Sequence, residues 1–138
     1  MARKCTASIN LNAIKKNYLY AKSLAPNSKA IAIIKADAYG HGAIKVAKEL
    51  SEVADAYGVA CIDEAIELLS SEIDRTPILL LEGIFEKSEL VLVAKHGLIV
   101  SVCNSTQLQW LLDADLKKPI DVFVKYAVSY THLRAHET

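Results

Sequence analysis

Apolar positions along this chain switch repeatedly between two spacings. Between Leu11 and Leu24 they fall at Leu11, Ile14, Tyr18 and Leu19, which is one face of a helix, and Pro26 closes the segment. Ala30–Ile34 is then a nearly continuous apolar run ending at Lys35, which predicts a short strand buried on both faces. Helical spacing returns at Ile44, Val46, Ala47 and Leu50, a strand is predicted over Ala56–Ile62, and Ala65, Ile66, Leu68, Leu69 and Ile73 mark another helix. Pro77–Leu81 reads as a strand, Leu90–Ala94 as part of a helix closing at His96-Gly97, and Leu98–Val102 as a strand. Ser105 is the expected cap of a helix through Leu108, Leu111 and Leu112, and Ile120–Val124 is a fifth strand.

Strands separated by single helices with short connections predict an α/β fold with a parallel sheet and right-handed crossovers. Periodicity leaves an open doubly wound sheet and a (β/α)8 barrel as alternatives. Ala36-Asp-Ala-Tyr-Gly-His-Gly42 has neither the GxGxxG nor the Walker A spacing, which disfavours the nucleotide-binding form of the open sheet. A complete barrel takes about 250 residues and eight units. Four βα units and a fifth strand therefore make roughly the N-terminal half of a barrel, an incomplete one.

Composition narrows the function classes. With 138 residues, 52% of them hydrophobic and 23% charged, the chain has the make-up of one packed domain rather than a disordered segment. Sixteen basic residues balance sixteen acidic ones, so there is no electrostatic footprint for nucleic acid or for an anionic membrane surface. The longest apolar stretch, Pro77–Leu81, is too short to span a bilayer, and no apolar signal core follows Met1; the expected location is the cytoplasm. Cys5, Cys61 and Cys103 match neither a CxxC pair nor a disulfide framework and are expected as small apolar fillers in a reducing compartment.

The candidate chemistry is concentrated after the first strand. Lys35 stands at the carboxyl end of that strand, the face on which barrel enzymes place their catalytic groups, and partial desolvation there would favour a neutral amine able to form a Schiff base. The alternative is a lysine that merely snorkels out of the strand end. Tyr39 lies four residues on, at the expected start of the next helix, where its phenol and two glycine-flanked amides would face an anion such as a phosphate.

Ile34-Lys-Ala-Asp-Ala-Tyr-Gly-His-Gly42 resembles the pyridoxal-phosphate signature of bacterial alanine racemases, which are fold-type III pyridoxal-phosphate enzymes. Most of the chain shares the resemblance. Ala7–Ile14 with Asn17-Tyr18 is similar to that family's first strand and helix, in which the stretch Thr6–Leu11 is a strand joining a C-terminal β-domain. Asp55–Ala60 with Asp63-Glu-Ala65 resembles its second βα unit, and Pro77–Gly83 its third strand. The resemblance implies pyridoxal 5'-phosphate as cofactor, alanine as substrate, a homodimer, and a role in D-alanine supply for cell-wall peptidoglycan. It makes Lys35 the cofactor-bearing lysine and one catalytic base, and Tyr39 a ligand of the cofactor phosphate. The second base, a tyrosine of the partner's C-terminal domain, and the arginine on the pyridine nitrogen come from regions the family has beyond this stretch. Two other functions are alternatives: a noncatalytic pyridoxal-phosphate carrier serving cofactor homeostasis, against which the Tyr39-Gly-His-Gly42 continuation and the Thr6–Leu11 stretch count, and a racemase of another small amino acid such as serine, which no residue present separates from an alanine racemase.

Asp121-Val-Phe-Val-Lys-Tyr126 resembles the family's fifth strand, where a lysine is often carbamylated; Lys125 is its match. A carbamate there would orient an arginine by charge. The alternative is a strand-end lysine of no special role. The resemblance stops after Tyr126. Val128–Thr138 instead reads, residue for residue, as the translation of a widely used transposase sequencing adapter. The chain is thus expected to divide into residues 1–127, a partial racemase barrel domain, and residues 128–138, a non-native tail. The i, i+4 pair His132 and His136 falls in that tail, so no metal centre is expected, and the fragment alone is expected to be inactive and unable to close its barrel.

Overall fold

The computed structural model describes residues 5–71, 73 and 76–126. Its elements run α1 (Leu11–Ser23), β1 (Ile31–Ile33), α2 (Lys35–Gly40), α3 (Ala43–Leu50), β2 (Ala56–Val59), α4 (Ile62–Ser70), β3 (Ile78–Leu80), a 3-10 turn (Lys87–Glu89), α5 (Leu90–His96), β4 (Ile99–Val102), α6 (Ser105–Leu112) and β5 (Val122–Val124). The five strands pair in chain order in one parallel sheet. Ile33 stands opposite Gly58, Gly58 opposite Leu79, and Ser101 opposite Phe123. The parallel α/β sheet is what the alternating periodicity predicts, and its sequential strand order is that of a partial barrel rather than of an open doubly wound sheet. The tail and its His132 and His136 lie outside the described residues.

Side-chain alternation divides the sheet into two faces. Ala32, Ile34, Tyr57, Val59, Ile78, Leu80 and Val100 belong to one core cluster with Val46, Ala47 and Leu50 of α3, Ala65 and Leu68 of α4, and Leu90 and Val93 of α5. Buried in that layer, the Tyr57 hydroxyl donates to the Ala47 carbonyl at 2.6 Å, so the phenol enters the core with its polar atom satisfied. The opposite face is more open: Ile33 is 40% exposed and Phe123 50%. The expectation that β1 is buried on both faces therefore fails at Ile33, which lies on an edge strand; on the central strands the same face is buried, with Leu79 and Ser101 each 4% exposed. β5 is exposed along its whole length.

Several local expectations are corrected. Residues 5–10 form no strand; Asn10 instead caps α1, its side chain accepting from the Ala13 amide at 3.0 Å. The cap of α6 is Asn104 rather than Ser105: Asn104 is extended and accepts from Gln107 N, which leaves Ser105 as the first helical residue. Cys5 and Cys103 are exposed and Cys61 is half-buried, so none of the three fills the core. The end of α5 follows its expected signal, since Gly97 adopts φ +64, the left-handed stop that glycine reaches without a Cβ clash. No helix among the described residues is long and apolar enough to cross a membrane.

Candidate active site

In a parallel sheet every strand ends on the same edge, so Lys35 after β1 and Lys125 after β5 share the carboxyl edge from opposite ends of the sheet. The half-buried Lys35 opens α2, and this segment is not an ordinary helix. Ala36, Asp37, Ala38 and Tyr39 all have φ between 51° and 55° with ψ between 40° and 51°, which makes four consecutive left-handed residues, none of them glycine. Each such residue costs about 1–2 kcal/mol against its right-handed form. Hydrogen bonds hold the turn. The Ala38 amide donates to the Ile34 carbonyl at 2.9 Å, the Gly42 amide to the Asp37 carbonyl at 2.9 Å, and the Ala43 amide to the Asp37 carboxylate at 2.7 Å. His41 closes it, its ring nitrogen Nδ1 2.8 Å from the Ala38 carbonyl.

This geometry revises the anion-binding expectation. The amides of His41, Gly42 and Ala43 are bonded within the turn, and the carboxylate of Asp37 sits on the first amide of α3. A phosphate would meet a negative charge there. Tyr39 belongs to the left-handed turn rather than to the start of α3, and it is 61% exposed. Of the anion ligands expected in this loop, the phenol remains.

Lys125 extends the ladder beyond β5, its amide donating to the Val102 carbonyl at 3.0 Å. Its Nζ reaches back over β4 to the Leu81 carbonyl at 3.3 Å, so the side chain lies along the carboxyl edge toward β3. No hydrogen bond links any two of Lys35, Tyr39 and Lys125. Among the described residues, the Lys35 amine has no hydrogen bond or ion pair. A primary amine without a counter-ion and an open phenol at one strand end suit an aldehyde-bearing phosphate ester such as pyridoxal phosphate, the amine for the carbonyl and the phenol for the phosphate.

Two further residues shape this edge and were not singled out by sequence. Glu64, at the third position of α4, accepts the Ala36 amide on Oε1 at 2.8 Å and the Ala60 amide on Oε2 at 2.7 Å. Gln107, at the third position of α6, accepts the Cys103 amide at 2.8 Å and donates to the carbonyls of Glu82 and Ile84 at 2.9 and 3.0 Å. The available signal was a Glu or Gln three residues after a helix cap, the second half of a capping box.

The family model described as the alanine racemase N-terminal domain matches residues 9–133. An alanine racemase of Stutzerimonas stutzeri is 46% identical over 123 residues, covering 89% of this chain and 34% of that protein. Among solved structures, the biosynthetic alanine racemase of Pseudomonas aeruginosa matches with a TM-score of 0.81 at 38% identity, over 92% of this chain and 37% of that one. The alanine racemase of Bartonella henselae, solved with covalently bound pyridoxal phosphate, matches with a TM-score of 0.67 at 30% identity, over 73% of this chain and 28% of that one. The chain thus spans about a third of the length of the relatives it matches.

Proposed function

Because the chain belongs to the alanine racemase N-terminal domain family, we propose that it supplies the cofactor-bearing edge of a pyridoxal-phosphate-dependent racemase that interconverts L- and D-alanine. One observation carries the reading: a lysine that has no counter-ion among the described residues stands at the carboxyl end of β1, followed by a left-handed turn bearing an open tyrosine. Lys35 Nζ is the group that holds the cofactor and, once released, takes or returns the α-proton on one face of the substrate carbon. The Tyr39 phenol donates to the cofactor phosphate. When bound, pyridoxal phosphate supplies an electron sink for the carbanion left behind. Lys125 belongs to the same reading as a carbamate whose negative charge orients a cationic partner. Alanine as substrate, a homodimeric assembly, a cytoplasmic location and D-alanine supply for peptidoglycan are parts of it too. So is the division of the chain after residue 127, which sequencing the gene past the Tyr126 codon tests.

The cofactor assignment is tested by borohydride reduction of the intact protein with pyridoxal 5'-phosphate, followed by peptide mapping. The pyridoxyl group should sit on Lys35, and labelling only at another lysine refutes the assignment. Lys35→Ala should abolish racemisation. Lys35→Arg should not rescue it, because a guanidinium stays protonated. Assays with L-alanine and L-serine separate the two racemases, while labelling without turnover of either identifies a carrier. An intact mass under carbon dioxide that shows Lys125 unmodified removes the carbamate.

A further inference from the structure

The left-handed turn after Lys35 is costly, and most of the hydrogen bonds that hold it join residues between 34 and 43. One comes from another βα unit. Glu64 accepts the amide of Ala36, the residue directly after Lys35 and the first with positive φ, while its second oxygen holds Ala60 at the end of β2. One carboxylate thereby ties the point where the chain turns left-handed to the neighbouring strand. Only a group with two acceptor oxygens satisfies both donors. A glutamine in its place would offer one carbonyl oxygen and turn an amide N–H toward the other backbone N–H.

We propose that Glu64 is a positioning residue for Lys35: by pinning the Ala36 amide to the end of β2, it fixes the direction in which the Lys35 side chain leaves the strand. Both of its oxygens serve backbone amides, so it sets the course of the lysine without pairing with the amine. The inference rests on the cofactor reading above, since the function of the positioned amine is to meet the cofactor carbonyl.

The test compares wild type, Glu64→Gln and Asp55→Asn in the intact protein. The Asp55 variant is a control of the same chemistry at the far edge of the sheet, where the carboxylate accepts the Ala30 amide at 2.7 Å. Two quantities are measured: hydrogen exchange of the Ala36 amide without cofactor, and the rate at which pyridoxal 5'-phosphate with borohydride labels Lys35. Glu64→Gln should accelerate the exchange and slow the labelling, each by about tenfold, the scale of one lost hydrogen bond to a charged group. Asp55→Asn should change neither. If Glu64→Gln fails to fold, Glu64→Asp, which keeps the charge but reaches only one of the two amides, replaces it. Unchanged exchange overturns the proposal. Faster exchange with unchanged labelling also overturns it, because Glu64 then serves the fold alone. Wild-type labelling confined to a lysine other than Lys35 overturns the cofactor reading and this inference with it.

Discussion

At the amino edge of the sheet, Asp55 accepts the Ala30 amide at 2.7 Å and pairs with the Lys22 ammonium at 2.7 Å, while the Tyr18 hydroxyl donates to the Ala30 carbonyl at 2.7 Å. At the carboxyl edge, Glu64 and Gln107 hold loop backbone with comparable bond lengths, and neither joins an ion pair among the described residues. One edge is fastened by opposite charges and the other by acceptors and donors spent on the backbone. The difference matters because the carboxyl edge carries the two lysines of the proposed site. A carboxylate paired with an amine stabilises its protonated form and competes with its use as a nucleophile. Among the described residues, the carboxyl edge fixes its loops without drawing Lys35 into such a pair.

The comparison breaks most visibly at Gly83. A Cβ there would lie 2.3 Å from the Ser101 carbonyl oxygen and 2.7 Å from Gln107 Nε2, at a backbone φ of +76. Backbone cannot retreat as a side-chain tip can. Gly83→Ala should therefore cost about 4 kcal/mol, combining the left-handed penalty with overpacking, and denaturant unfolding of the intact protein measures it. A loss below about 1 kcal/mol would show that the Gln107 clamp tolerates displacement.

Gln107→Leu comes next. It keeps the volume but removes three hydrogen bonds from a side chain that is 5% exposed, leaving the Cys103 amide and the carbonyls of Glu82 and Ile84 to find water. About 3 kcal/mol is expected, at roughly 1 kcal/mol for each group stranded near the surface. Since an amide does not titrate, the loss should be the same in acid and in base. A loss that changed markedly with pH would remove the contrast between the two edges.

How far these features were legible in sequence differs by kind. Periodicity located all five strands and the helices between them because it records which face meets the core, and that preference is local to each element. The strand ends were too generous at Ile34 and Ile62, since an apolar side chain continues the pattern after the ladder has ended. The left-handed turn was invisible: Ala36, Asp37, Ala38 and Tyr39 have no local preference for positive φ, and bonds from Asp37, His41 and Glu64 impose it. For the same reason the amides expected to face an anion turned out to be occupied. Asn104 was missed as a cap because Ser105, a residue with the same capping preference, stands beside it. Lys35 stands at the carboxyl end of β1, where the apolar run before it predicts, but its proposed role rests on the signature resemblance over Ile34–Gly42 and not on that position alone.

The smallest effect is expected at the ion-paired edge, and its sign depends on pH. The Ala30 amide, aided by the Lys22 ammonium, holds the Asp55 carboxyl below its usual range. A depressed folded value means that the stabilisation is present above the unfolded value near 3.8 and is lost as pH falls through the folded one. Lys22 is raised, chiefly by its hydrogen bond to Asp55, so its share is present below 10.5 and disappears as pH rises through the folded value. Asp55→Asn should therefore lower the thermal midpoint modestly at neutral pH, because a solvent-screened pair contributes little. The gap to wild type should narrow in strong acid, where Asp55 is protonated, and again in strong base, where Lys22 is neutral. Added salt should shrink it at neutral pH. No gap at any pH would mean that Asp55 acts only as an acceptor for the Ala30 amide, a role asparagine can also fill. The two edges would then be fastened by the same chemistry, and the absence of a counter-ion for Lys35 among the described residues would no longer set the carboxyl edge apart.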